Sequence, residues 1–267
     1  MIVTIQKIRG ADVVETEDTL AVEEPLEIKL AWREGTVSVQ KPVSVTMRTP
    51  GHDEELAVGF LCTEGIINDR AAVEHAYSDG STVLVILKTA PVLPVADRNF
   101  YAAAGCGICG KTGMDSLKLA SPFAAVALPL RVPISVFYGL QEALQQKQVW
   151  FEQTGGLHAA ALFSLDGECI VLREDIGRHN ALDKVIGYAL MGNQLPLEER
   201  ILLLSGRAGF ELIQKAYMAG VRVVAAVGAP SSLAVERAQE CGMTLIGFLR
   251  GERFNVYTGW EAIGNEK

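Results

Sequence analysis

The feature that most constrains this chain is the alternation in its last third. Ile201 to Leu204 is an unbroken apolar run, and Ala208 to Ala219 has helical periodicity that stops at Gly220. Val221 to Val227 is apolar again, Ser232 to Cys241 is a second short helix that stops at Gly242, and Thr244 to Leu249 is a third apolar run. Apolar runs without polar alternation suit strands covered on both faces, and short amphipathic helices between them carry the chain back to a parallel neighbour. Upstream, Ala160 to Leu172 reads as a hairpin turning at Asp166-Gly167. Ser135 to Gln148 and Asn180 to Met191 read as helices. Residues 126–267 are therefore expected to form an α/β domain on a parallel sheet.

The first 125 residues follow another pattern. Glu27 to Leu30, Val37 to Gln40 and Val43 to Thr46 alternate as half-buried strands do, and Thr82 to Lys88 is a further strand. One helix, Asp53 to Glu64, opens with acidic residues and ends at glycine. Residues 1–125 thus read as a smaller β-rich domain. It ends in a long, mobile loop from about Ala90 to Gly113, rich in proline, alanine and glycine.

Bulk properties exclude several classes. The net charge of -8 argues against a general nucleic-acid binder. No apolar run reaches about 18 residues without a charge, so no membrane span is expected. The opening MIVTIQKIRGADVVE lacks the apolar core and cleavage site of a secretion signal, which implies a cytoplasmic protein. Five cysteines in such a chain argue against a disulfide framework. Cys62, Cys169 and Cys241 lie in apolar surroundings and read as small buried residues.

Cys106 and Cys109 differ. They lie in Ala104-Gly105-Cys106-Gly107-Ile108-Cys109-Gly110-Lys111-Thr112. A structural zinc site needs two more ligands, but there is no second pair, and His52, His75, His158 and His179 are scattered. A thioredoxin-like redox pair needs a strand-to-helix junction, and Arg98 to Ala104 is a weak strand. A carrier of sulfur as a persulfide fits the three glycines, which leave the sulfurs uncovered, and Lys111, which favours thiolate. Gly105 to Thr112 also matches the phosphate loop of an NTPase, but that motif needs a buried strand before it and a helix at its lysine.

Other segments suggest a binding pocket. Arg173 to Lys184 is a dense polar turn opening a helix, readable as an anion site or as a solvated turn of compensating charges. Ser205-Gly206-Arg207, Gly228 to Ser232 and Phe248 to Arg253 end three successive strands, where open α/β sheets bind ligands. Together they favour a pocket for an anionic ligand. His158, after Gly155-Gly156, reads equally as a site residue or a structural one.

RTPGHDEELAVGFLCTEGII, CGICGK, TGGLHAAALF, REDIGRHNALDKVIG, SGRAGFELIQKAYMAG and APSSLAVERAQECGMTLIGFLRGERFNVYTG resemble the formate dehydrogenase accessory sulfurtransferase family (FdhD), over about residues 45 to 260. The resemblance implies a sulfurtransferase that takes sulfur from a cysteine desulfurase as a persulfide. It passes that sulfur to the molybdenum of bis(molybdopterin guanine dinucleotide), for the catalytic subunit of a formate dehydrogenase. It implies a cytidine-deaminase-like fold without the zinc those enzymes need. Cys106 and Cys109 would carry the persulfide. Phe248, Leu249, Arg250, Gly251, Glu252 and Arg253 would hold the guanine nucleotide, with Ser205, Gly206, Arg207 and His179 beside them, and a free guanine nucleotide is expected to mimic the cofactor. A homodimer is expected, since it offers two loops to a two-nucleotide cofactor. Two rivals are an NTPase using Gly105 to Thr112 and a chaperone that holds the cofactor without transferring sulfur.

Overall fold

The computed structural model describes residues 1–91, 100–101, 118–123 and 130–264. The N-terminal region opens with a hairpin, β1 (Ile2–Arg9) and β2 (Asp12–Thr19), that stands apart from the larger sheets. A five-stranded sheet follows, built from β3 (Glu24–Glu34), β4 (Val37–Arg48), β5 (Val73–Ser78), β6 (Thr82–Leu87) and β7 (Phe100–Tyr101), in the order β5-β6-β3-β4-β7. Its β-rich character is as expected. Phe100–Tyr101, however, falls inside the expected loop and pairs with Ser44 and Val45 at the sheet edge.

A six-stranded sheet forms the second half. Its strands are β9 (His158–Phe163), β10 (Cys169–Asp175), β11 (Ile201–Leu204), β12 (Val223–Ala226), β13 (Thr244–Arg250) and β14 (Arg253–Thr258), in the order β10-β9-β11-β12-β13-β14. β8 (Val132–Pro133) pairs with β15 (Ile263–Gly264) at its margin. Only β11, β12 and β13 are mutually parallel. The expected parallel sheet is thus mixed, because the hairpin β9–β10 joins β11 antiparallel and β13 turns straight back into β14.

Both faces of this sheet are covered. Leu202, Leu204, Val224, Ala226 and Leu245 belong to the core that includes α4 (Arg178–Met191), α5 (Phe210–Met218) and α6 (Ser232–Glu240). Ile201, Leu203, Val223, Ala225 and Ile246 pack with Phe137, Leu140 and Leu144 of α2 (Ile134–Lys147). The strict alternation explains why β11 and β12 have no polar residue: each residue meets one helix layer or the other. A buried Leu of this kind stabilises the fold by about 2 kcal/mol.

The two sheets share one core. Leu26, Ile28, Leu30 and Trp32 of β3 pack with Leu56 and Leu61 of α1 (Asp53–Thr63), and the same cluster runs on into Leu182, Val185 and Ile186 of α4. α1 and α4 approach so closely that a Cβ at Gly59 would lie 1.8 Å from the Asp183 carbonyl oxygen. Ion pairs lock this layer. Lys215 of α5 lies 2.8 Å from Asp183 and donates to Thr63 Oγ1 at 2.9 Å. Burial alone would lower the Lys215 pKa, but the Asp183 carboxylate more than offsets it and holds the ammonium above its ordinary value. The expected domain boundary at 125/126 lies outside the described residues. No described helix is long and apolar enough to cross a membrane.

Candidate functional site

The dense polar stretch from Arg173 to Lys184 is a brace rather than a solvated turn. Asp175 ends β10 and is fully buried. Its carboxylate accepts from the backbone N–H of Gly177 at 2.8 Å, from Asn180 Nδ2 at 3.1 Å and from the N–H of Thr49 at 3.2 Å. Buried Lys184 sits 2.7 Å from it and also donates to the Thr49 carbonyl. Arg173 reaches α1 as a fork, with Nε and Nη2 donating to Glu55 at 2.6 and 2.8 Å. Each buried charge thus has a partner, which its burial requires. The helix starts at Arg178, two residues before the expected Asn180, and this places Arg178 and His179 in its first turn.

His179 is buried in the first turn of this helix. Its Nε2 lies 2.7 Å from Glu211 in the first turn of α5, and its Nδ1 has no partner among the described residues. Asp175 is paired in register with His158, the first residue of β9. His158 in turn packs against Gly206, where a Cβ would lie 3.2 Å from its Nδ1. Burial, and then the positive potential of Arg178 and His179, hold the His158 pKa below its ordinary value, so the ring is neutral at pH 7.

The three expected strand ends converge. The Gly228 N–H donates to the Gly206 carbonyl at 3.0 Å, and the Phe248 N–H donates to the Gly228 carbonyl at 3.1 Å. Glycine is needed at the middle position, since a Cβ on Gly228 would lie 2.9 Å from the Gly206 oxygen and 3.0 Å from Arg207 Cα. A cavity of about 410 Å³ opens at this rim, lined by His158, Ser205, Gly206 and Val227, by Gln145 of α2 and by Phe151 of the short helix α3 (Val149–Thr154). Its size suits a nucleotide-sized ligand.

The predicted residues occupy different stations. Ser205 lines the cavity, and its hydroxyl accepts from the Ala159 N–H at 2.8 Å, so it also clips β11 to β9. Arg207 is exposed. Phe248 is 45% exposed with φ 55°, a left-handed conformation that a bulky residue rarely adopts. Leu249 is fully buried in the core beneath α2, so its side chain is closed to solvent. Arg250 and Arg253 pair across the exposed Gly251-Glu252 turn of the β13–β14 hairpin. The last expected strand end is therefore a hairpin tip. Cys106, Cys109 and all of Gly105 to Thr112 lie outside the described residues.

Three polar residues of the cavity wall were not anticipated: Gln141, Gln145 and Gln148. Their spacing places them beside the buried Phe137-Leu140-Leu144 stripe of α2, and that polar row was a legible signal. Glu211 was also missed, because its partner His179 is distant in sequence.

The described cysteines are poor nucleophiles. Burial pushes the Cys62 thiol up to about 12, and burial also raises Cys169 and Cys241. Iodoacetamide at pH 7.5 is expected to leave Cys62 unmodified in the native protein and to alkylate it in urea, as read by peptide mass spectrometry. Alkylation of Cys62 at the same rate in both states would contradict its burial.

A mixed sheet covered on both faces, with a ligand-sized cavity at the ends of its parallel strands and Arg207 exposed beside it, defines the class as an α/β protein with a pocket at its strand ends. The model of the FdhD/NarQ family matches residues 21–264, and the chain belongs to that family. It is 46% identical to the sulfur carrier protein FdhD of Streptomyces coelicolor, over 96% of this chain and 93% of the relative. It is 45% identical to the protein of the same name from Mycobacterium tuberculosis, over 95% of each chain. The fold is also that of a formate dehydrogenase accessory protein from Desulfotalea psychrophila, with a TM-score of 0.78, 23% identity and 99% of each chain covered.

Proposed function

We propose that this protein is a sulfur carrier of the formate dehydrogenase system, which accepts sulfur from a cysteine desulfurase and delivers it to the molybdenum of bis(molybdopterin guanine dinucleotide). The observation that carries this reading is the near-full-length relationship to sulfur carrier proteins. The thiolate of Cys106 or Cys109 attacks the outer sulfur of the desulfurase persulfide. That S–S bond breaks, the desulfurase cysteine leaves as a thiolate, and the carrier cysteine becomes the persulfide. The raised thiols of Cys62, Cys169 and Cys241 support assigning this step to the pair.

The acceptor is the substrate of the second half. Its guanine nucleotide docks at the rim formed by Gly206, Gly228 and Phe248, with Arg207, Arg250 and Arg253 donating charge-assisted hydrogen bonds to its phosphates. The same reading takes the mixed sheet as cytidine-deaminase-like, the protein as a cytoplasmic homodimer, and a formate dehydrogenase catalytic subunit as the recipient of the finished cofactor.

Incubation with a desulfurase and radiolabelled cysteine tests the first step. Label is expected on this chain, released by dithiothreitol and lost when both Cys106 and Cys109 are replaced by alanine. Label that stays on the desulfurase alone would sink the carrier reading and leave a chaperone.

A further inference from the structure

The hairpin β1–β2 has two open edges. Among the described residues its strands pair only with each other, and α3 packs beside β2. The hairpin also precedes residue 21, where the match to the family begins. Two strands alone are marginal in water, and an independently stable sheet needs three or more. The apolar side chains of this pair are nevertheless left in solvent: Ile2, Ile8 and Val13 are each more than half exposed.

The register fixes where the free backbone groups point. The Leu20 N–H donates to the Met1 carbonyl at 2.8 Å, and the Met1 nitrogen donates back to the Leu20 carbonyl at 2.9 Å. Bonded and non-bonded pairs alternate along an antiparallel ladder. Val3–Asp18, Ile5–Thr16, Lys7–Val14 and Arg9–Asp12 are therefore the bonded pairs, and Ile2, Thr4, Gln6 and Ile8 direct their N–H and C=O groups outward from β1. The outward residues of β2 are Val13, Glu15, Glu17 and Thr19. The two edges differ in charge. Antiparallel pairing of β2 with β2 of a second copy sets a glutamate opposite a glutamate in every register that engages three or more of these four residues. The outward residues of β1 carry no charge, so β1 lacks the carboxylates that protect the other edge.

We propose that β1 is a self-association edge, through which two copies of this chain join β1 to β1 antiparallel across a two-fold axis and form one four-stranded sheet. With Ile2 opposite the partner's Ile8 and Thr4 opposite the partner's Gln6, all four outward residues of each strand are bonded. Ile5 then lies on the axis and faces its own copy. Lys7 faces the partner's Val3, so no like charges meet. Val13 stands beside Ile8 in the hairpin, so Ile2, the partner's Ile8 and the partner's Val13 share one face and cover one another. This isologous contact closes at two copies, whereas β1 on the partner's β2 would leave an edge open and continue. The inference rests on the homodimer reading and assigns it a contact surface.

Light scattering and sedimentation of the full chain test this. Wild-type protein is expected to be a dimer. Thr4→Pro combined with Gln6→Pro removes half of the outward donors of β1 and none of the hairpin's own bonds. It is expected to raise the dimer dissociation constant by more than about a hundredfold. Ile5→Cys tests the register independently. A non-bonded antiparallel pair brings its Cα atoms to about 4.5 Å, within reach of a disulfide. Mild oxidation is expected to link position 5 to itself between copies, as read by non-reducing peptide mass spectrometry. Thr16→Cys, on the same face of β2, is expected to form no such link. A dimer unmoved by the two prolines, or a wild-type dimer in which Ile5→Cys gives no link, would overturn the β1 interface and leave the homodimer standing. A monomeric wild type would overturn both.

Discussion

Gly187→Ala is expected to destabilise the protein by more than about 3 kcal/mol, or to prevent it from folding. A Cβ at Gly187 would lie 1.8 Å from the Glu55 carbonyl oxygen and 2.6 Å from its carbon. Gly59 answers it from the other helix, 1.8 Å from the Asp183 oxygen. The obstacles are backbone atoms of helices, so relief requires α1 and α4 to separate. That separation would open the core that joins the two sheets and disturb the Lys215–Asp183 pair across it. Helix propensity predicts the opposite sign, since Ala exceeds Gly by about 1 kcal/mol inside a helix. Gly139 of α2 isolates that contrary term: it is exposed, and nothing lies within 4 Å of where its Cβ would be. Gly139→Ala is therefore expected to stabilise by about 0.5–1 kcal/mol. Urea midpoints of the two variants decide the matter. If Gly187→Ala moves the midpoint no further than Gly139→Ala, the close crossing is not what the geometry implies.

Much of the fold was legible where one local rule dominated. Ile201 to Leu204 was read as a covered strand because no polar residue interrupts it, and it is β11 unchanged. Asp166-Gly167 marked a hairpin turn, and Gly167 has the φ of 87° that the turn requires. Ser231 stands just before the helix expected from Ser232, and its hydroxyl caps that helix by accepting from the Ala234 N–H at 3.2 Å. The failures share a cause: they depend on partners far away in the chain. β14 reads Arg-Phe-Asn-Val-Tyr-Thr, a pattern of weak amphipathicity that becomes a strand only because β13 turns back on it after Arg250. The two helix glycines carry no local signal for a crossing.

The site shows the same division. Turn chemistry at Ser205-Gly206-Arg207 and Gly228 was readable, and those residues do converge. The fate of Leu249 was not, because alternation along β13 carries it into the core while Phe248, in a left-handed conformation beside it, stays exposed. The polar run at Arg173 to Lys184 was readable as an anion site or as a balanced surface turn. In the fold Asp175 and Lys184 are buried against each other, with Thr49 of the N-terminal region completing their bonds. Composition reports that charges balance, but not whether they balance in water or in a core, and only the latter braces a helix start.

The largest functional effect belongs to the cysteine pair. With Cys106 or Cys109 replaced singly by alanine, in cells lacking their own copy of this protein, formate dehydrogenase activity is expected to fall more than about a hundredfold for at least one of the two. Persulfide transfer needs an ionised sulfur at the point of attack, and no general base or metal can substitute for the missing atom. Nor can another described cysteine: Cys62 at about 12 offers almost no thiolate near neutral pH, and burial moves Cys169 and Cys241 the same way. If the first thiol accepts sulfur and the second only resolves it, one variant loses activity and the other keeps a fraction. If sulfur passes between them, both lose it. Unchanged urea midpoints in both variants would assign the loss to chemistry rather than folding. Full activity in both would mean that sulfur reaches the enzyme by a route that never touches these cysteines, and the carrier reading would fall.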